Sequence, residues 1–105
     1  MNLEAIYRRD QSFVFRDIAG ETILVPIRQH VGDLDDVFRL NTVASFTWNH
    51  LDGRRNLSAI TQLIVEAFDV TAEIAEADLM EFMSQLIEIG AVREVTTWSA
   101  YTSPN

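Results

Sequence analysis

The sequence predicts an α+β domain in which a three-stranded antiparallel sheet is followed by three helices and a possible short C-terminal strand. Residues 12–40 are rich in β-branched and aromatic residues and are interrupted by turn residues, which is typical of strands. From residue 41 onward, apolar residues recur at intervals of three and four, which is typical of amphipathic helices. The chain has 105 residues, 48% of them apolar, which is enough for one domain with a single small core.

A hairpin is predicted near the start of the chain. Its strands are residues 13–18 and 22–27, and residues 19–21 supply the turn between them. Pro26 cannot donate to a ladder, so it marks the end of the second strand or an edge position. After a polar connection, a third short strand is expected at residues 36–40. Strand alternation would place its Phe38 and Leu40 on the core face and its Val37 and Arg39 on a half-exposed face.

The first helix is expected to begin after Asn41, a residue whose side chain favours the N-cap position. Ala44, Trp48 and Leu51 then follow at helical spacing, and Gly53 is interpreted as the residue that ends the helix.

Two further helices are predicted at residues 57–68 and 72–89, with Thr71 as the N-cap of the last helix and Gly90 as its end. Residues 91–95 could form a final strand. The domain would then cover residues 11–95, preceded by a flexible lead-in at 1–10 and followed by a polar tail at 96–105.

The last helix carries more apolar surface than one core requires. Its apolar side chains cover an arc of about 180°, whereas sealing one core takes roughly 100°. Such a surplus indicates either burial on two sides or a groove for a partner. In order around the axis, the apolar residues are Ile89, Phe82, Ala75, Leu86, Leu79, Met83, Ile87 and Met80, and the polar remainder is Asp78, Glu81, Gln85 and Glu88.

Composition argues against catalysis and against nucleic-acid binding. The chain has no cysteine, and its net charge of −8 repels phosphate backbones and anionic membranes. His30 and His50 fall in no metal-ligand spacing, and His50 is better explained as a partner for the last carbonyls of the first helix. We therefore expect no catalytic residue, no metal and no cofactor.

No signal peptide or membrane span is expected. The first ten residues contain acidic residues and no apolar run of signal-peptide length, and no segment reaches the roughly 18–20 apolar residues that span a bilayer. The sequence predicts a soluble, cytoplasmic protein.

Two noncatalytic interpretations remain open from the residues alone. The order of elements is compatible with a winged helix-turn-helix, which would make the chain a DNA-binding or regulatory module, although the acidic balance argues against it. Alternatively, the short third strand could be an edge to which an extended peptide adds. A homodimer in which the groove packs against its own copy is a further possibility.

One ordered set of residues, spread over about residues 13–93, is shared with a known family. The residues are Phe38-Arg39-Leu40-Asn41, Ala44, Trp48, Leu51-Asp52-Gly53, Leu57, Ile60, Phe68-Asp69-Val70, Asp78, Phe82, Leu86 and Gly90. As a set, with no single motif carrying the similarity, they resemble the PqqD family, which includes pyrroloquinoline quinone biosynthesis protein D and the RiPP recognition elements.

The resemblance implies a noncatalytic chaperone that binds the leader segment of a ribosomally made precursor peptide. The peptide would add to the third strand, lie against the third helix, and be presented to a modifying enzyme such as a radical SAM protein, in pyrroloquinoline quinone or other RiPP biosynthesis. By position, the binding edge would be Asp36, Val37, Phe38, Arg39 and Leu40. The groove wall would be Leu79, Met80, Phe82, Met83 and Leu86, among which methionine suits a variable peptide.

Overall fold

The computed structural model describes residues 2–27 and 37–96, which form six strands and three helices. In chain order the elements are β1 (Ile6–Arg9), β2 (Phe13–Ile18), β3 (Glu21–Pro26), β4 (Phe38–Leu40), α1 (Thr42–Asn49), β5 (Asp52–Asn56), α2 (Leu57–Phe68), α3 (Ala72–Ile89) and β6 (Val92–Val95).

The predicted three-stranded antiparallel sheet is confirmed, with the strand order β2-β3-β4. The hairpin of β2 and β3 turns at Ala19 and Gly20, both of which have positive φ angles. β4 is shorter than predicted, since it begins at Phe38, with Val37 immediately before it. Asp36, the first residue of the predicted strand, lies outside the described residues.

A second three-stranded sheet, with the order β5-β1-β6, was not predicted. Residues 6–9, expected to belong to a flexible lead-in, form its central strand and pair antiparallel with both neighbours. Tyr7 of β1 is buried, with 8% of its surface exposed, and Arg8 on the opposite face is exposed. The strand was missed because its four residues include two arginines and its partners lie far along the chain.

Gly53 does not end the first helix, as the sequence suggested. α1 ends at Asn49 with His50 as its C-cap, and Gly53 lies within β5 at a φ of 80°. A Cβ at Gly53 would lie 3.3 Å from the Cβ of Arg8, so the glycine permits both the left-handed backbone and the close approach of β5 to β1. The segment from Arg54 to Asn56 is the rest of β5.

The second and third helices have the predicted bounds. Thr71 caps α3 by accepting a hydrogen bond from the backbone N–H of Ile74, and Gly90 ends it at a φ of 78°. The final strand is confirmed as β6. For α3, the capping threonine and the terminal glycine recognised in the sequence therefore mark both ends of the helix.

One core joins the two sheets to the three helices. Trp48 and Leu51 are completely buried at its centre, and α3 contributes four buried side chains. The core residues are Ala5, Tyr7, Leu24, Leu40, Trp48, Leu51, Leu57, Ile60, Ile64, Ala75, Leu79, Met83, Leu86, Ala91 and Val92. No helix within residues 2–27 and 37–96 combines the length and the apolar character required to cross a membrane.

Candidate functional site

β4 is an edge strand. The order β2-β3-β4 leaves its outer side without a strand partner among the described residues, so the backbone groups on that side are available for pairing. On its other side β4 pairs with β3. Phe38 lies opposite Leu24, Arg39 lies opposite Ile23, and Leu40 lies opposite Thr22.

A buried hydroxyl fixes the end of β4 where the chain enters α1. The Oγ of Ser45 accepts a hydrogen bond from the backbone N–H of Thr22 at 2.8 Å and donates to the carbonyl oxygen of Leu40 at 3.1 Å. Ser45 thus bridges two residues that face each other across the β3–β4 ladder. Asn41, between β4 and α1, caps the helix by accepting from the backbone N–H of Ala44 at 2.9 Å. These bonds hold the edge strand at a defined position relative to the helices.

Two adjoining cavities lie between β4 and α3. The first, of about 340 Å³, lies at the Leu40 end of the strand, and the second, of about 530 Å³, lies at the Val37 end. Arg39, Leu40, Phe82 and Gln85 border both cavities, so the two form one continuous feature, which we call the β4–α3 groove.

The two halves of the groove differ in chemistry. The first cavity is bordered on α3 by Asp78 and Glu81 and elsewhere by Arg39, Asn41 and Thr47. Its rim is therefore polar and, with two carboxylates against one guanidinium among the described residues, acidic on balance. Apolar side chains dominate the second cavity, and Glu88 is the one carboxylate among the described residues that border it. The apolar residues of the second cavity are Leu24, Val37, Phe38, Leu40, Phe82, Leu86 and Ile89.

Seven of the ten residues predicted for the site line the groove. Val37 is 46% exposed, Arg39 is exposed, and Phe38 and Phe82 are half-buried. Leu40, Leu79 and Leu86 are core residues whose surfaces form the groove floor.

The other three predicted site residues do not line the groove. Met83 is completely buried in the core, so it supports the groove from beneath rather than facing it. Half-buried Met80 borders neither cavity. Asp36 lies outside the described residues.

The polar side of α3 was underestimated as a groove wall. Asp78, Glu81, Gln85 and Glu88 border the cavities, although the sequence had placed them in the polar remainder of the helix. Their spacing of three or four residues from Phe82 or from one another could have suggested this, because residues at that spacing share a helix face. The packing angle between α3 and the sheet decides which part of that face meets β4.

Within residues 2–27 and 37–96, no group of three or more His, Asp or Glu side chains is arranged to hold a metal ion. His50 has the role expected of it, since its Nδ1 lies 2.7 Å from the carbonyl oxygen of Phe46 in the last turn of α1. His30 lies outside the described residues.

The family model described as coenzyme PQQ synthesis protein D (PqqD) matches residues 21–92. The chain belongs to the PqqD family. The matched part of this PqqD-family chain runs from the start of β3 to the start of β6 and includes every residue that borders the β4–α3 groove.

Two solved structures share the fold of this PqqD-family chain, each with a TM-score of 0.69. "TbiB1 in Complex with the TbiA(beta) Leader Peptide" is 21% identical, and the similarity covers 82% of this chain and 94% of the other. "Lasso peptide synthetase B1 complexed with the leader peptide" is 17% identical, with 83% of this chain and 96% of the other covered. No curated protein matches the chain.

Proposed function

We propose that this PqqD-family chain captures the leader segment of a ribosomally made precursor peptide in the β4–α3 groove. The leader adds as a further strand to β4, and α3 forms the opposite wall. The observation that carries this proposal is the edge of β4, which has no strand partner among the described residues and opens directly onto a groove with an apolar half. In strand addition, main-chain hydrogen bonds supply affinity, and pockets for alternate side chains supply specificity.

The comparisons support the same role. Both structures of similar fold were solved with a leader peptide bound, and the family model covers the groove. Membership of the PqqD family favours a peptide destined for modification over other extended ligands.

The protein itself performs no chemistry on the peptide in this proposal, and it presents the peptide to a separate modifying enzyme, which we expect to be a radical SAM protein. Incubation of a precursor peptide with the purified chain should leave the mass of the peptide unchanged. A covalent change catalysed by the chain alone would contradict the noncatalytic role.

A nuclear magnetic resonance titration tests where the peptide binds. Addition of a candidate precursor peptide should shift the amide signals of Val37, Arg39 and Leu40 and those of residues 78–89 of α3. Shifts confined to the β5-β1-β6 sheet would place binding elsewhere and overturn the proposal.

Substitution of Val37 by proline tests the strand edge. Proline removes a backbone N–H beside β4, so we expect Val37→Pro to weaken peptide binding about tenfold, the effect of roughly one lost backbone hydrogen bond. Val37→Thr is the matched control because it keeps the N–H and the β-branched shape. Calorimetric titration measures both affinities, and unchanged binding by a folded Val37→Pro protein would exclude this part of the edge.

A further inference from the structure

Three carboxylates border the β4–α3 groove without a partner among the described residues. Asp78 and Glu81 lie at the first cavity and Glu88 lies at the second, and all three side chains are exposed. None of them makes a hydrogen bond or an ion pair with another described residue. By contrast, Asp52 of β5 and Asp10, which follows β1, are paired with Arg55 and Arg93.

The placement of these acids is unfavourable for the helix itself. α3 carries acidic residues and no basic one, so no pair at i,i+4 spacing compensates them. Asp78 and Glu81 are three residues apart and repel each other. Glu88 lies in the last turn, where the helix dipole disfavours negative charge. A cation brought by a ligand would relieve these interactions.

Arg39 is the one basic residue among the described residues that border the two cavities. Its side chain is exposed, and it makes no ion pair with Asp78, Glu81 or Glu88. The three carboxylates therefore remain available to a cation of the ligand.

The geometry also sets an order along the ligand. β3 is antiparallel to both of its neighbours, and a strand that continues this pattern on β4 runs from the Leu40 end toward the Phe38 end. Its N-terminal part then meets the acidic cavity and its C-terminal part meets the apolar one.

The length of the groove sets the spacing of the two contacts along the ligand. Glu81 and Ile89 are about 12 Å apart along the helix axis at roughly 1.5 Å per residue. An extended peptide spans that length in about four residues, which keeps both side chains on one face.

We infer that the groove selects an extended peptide in which a lysine or arginine precedes an apolar residue by about four positions. The cation lies against Asp78 and Glu81, and the apolar side chain enters the second cavity. This inference rests on the proposed function and adds the chemical class of the leader that the site accepts.

A display library of random twelve-residue peptides, selected on the intact protein, tests the inference without knowledge of the natural leader. Enriched sequences should carry Lys or Arg about four residues before a large apolar residue. One enriched peptide is then titrated against Asp78→Asn/Glu81→Gln. We expect about a fivefold to tenfold loss of affinity at low salt, the combined effect of two partly exposed charge pairs, and a smaller loss as salt screens the charges.

Glu66→Gln/Glu76→Gln is the matched control. It removes two negative charges, as Asp78→Asn/Glu81→Gln does, but takes one from α2 and one from α3. Neither residue borders the groove. At about 0.15 M salt its affinity should stay within about twofold of the parent, because neither carboxylate borders the groove and exposed charges beyond about 8 Å are largely screened at that salt concentration.

The outcomes separate the inference from the proposed function. Enriched peptides that shift β4 and α3 amide signals but show no basic preference would overturn the inference and leave the proposed function standing. An equal loss of affinity in both double variants would also overturn it, because it would reflect net charge alone. A library that yields no peptide binding at β4 and α3 would overturn both.

Discussion

At the scale of single residues, Ser45 connects the sheet to the helices. Its hydroxyl accepts a hydrogen bond from the backbone N–H of Thr22 and donates one to the carbonyl oxygen of Leu40. Only 5% of the surface of Ser45 is exposed. The serine therefore satisfies a backbone N–H and a carbonyl oxygen at the point where the ladder ends. Without it, a polar group would be left buried and unpaired at the edge of the groove.

We expect Ser45→Ala to lower the free energy of unfolding by about 1–3 kcal/mol, the cost of leaving a buried backbone donor unsatisfied. Urea denaturation followed by circular dichroism measures the change. Ser84→Ala, at an exposed position of α3, is the control and should change stability by less than about 0.5 kcal/mol. Equal stability of the two variants would mean that Thr22 finds another acceptor.

Asp10 provides a second prediction at this scale. Hydrogen bonds from the Ser12 hydroxyl, from the Arg93 guanidinium and from the Ser12 backbone N–H hold the pKa of its carboxyl well below the ordinary value. In the unfolded chain the pKa returns to about 3.9. The ionised carboxyl therefore stabilises the fold above about pH 4, and this contribution is lost as the pH falls toward the native pKa.

The free energy of unfolding should thus fall more steeply between about pH 5 and pH 2 in the parent protein than in Asp10→Asn. Asp10→Asn should also be less stable than the parent at neutral pH. Glu73→Gln, an exposed residue of α3, serves as the comparison variant. Parallel pH profiles of the parent and Asp10→Asn would contradict a stabilising role for the Asp10 carboxylate.

At the scale of elements, Asn56 joins β5 to α2. It is the last residue of the strand, and its side-chain oxygen accepts a hydrogen bond from the backbone N–H of Ala59 at 2.8 Å as the N-cap of the helix. Strand and helix therefore meet with no intervening loop, which fixes the angle between the second sheet and α2.

Asn56→Ala should lower the free energy of unfolding by about 1 kcal/mol because the first turn of α2 loses its cap. Asn56→Ser keeps an oxygen that can cap the helix and should remain within a few tenths of a kcal/mol of the parent. Thermal denaturation of the two variants measures the difference. If Asn56→Ser loses as much stability as Asn56→Ala, the loss arises from the position of Asn56 in β5 rather than from the helix cap.

α3 serves two surfaces, as its wide apolar arc suggested. Ala75, Leu79, Met83 and Leu86 are buried in the core. Phe82 borders both cavities, which Asp78, Glu81 and Glu88 also border. The same helix thus anchors the fold on one side and shapes a binding wall on the adjoining side.

At the scale of the whole molecule, two small sheets share one core. Ala5 and Tyr7 at the start of the chain belong to the same cluster as Leu24 and Trp48. The backbone N–H of Leu57 donates to the carbonyl oxygen of Ala5, so the first residues also hold the start of α2. The N-terminal strand is consequently a structural part of the domain and carries no groove residue.

Tyr7→Ala tests this role of β1. We expect a loss of about 3 kcal/mol in the free energy of unfolding, since a large side chain leaves a cavity between β1 and the helices. Ile74→Ala, at a position 51% exposed on α3, is the control and should cost less than about 1 kcal/mol. Urea denaturation compares them, and equal losses would show that β1 is peripheral to the core.

Local signals in the sequence determined the β2–β3 hairpin, the bounds of α2 and α3, and the caps at Asn41 and Thr71. Each of these depends on residues close together in the chain, so periodicity and turn chemistry are sufficient to predict it. The sequence also carried the resemblance to the PqqD family, and Phe38, Arg39 and Phe82 of the residues that it implied border the β4–α3 groove.

Only the tertiary structure decided the second sheet and the exact lining of the groove. β1 is a strand because β5 and β6 supply partners from distant parts of the chain, and its own four residues carry too weak a pattern to predict it. Likewise, Met83 faces the core while Glu81 and Gln85 face the groove because the packing of α3 against β4 fixes the rotation of the helix. Helical periodicity groups side chains on a face, but it does not say which neighbour each part of that face will meet.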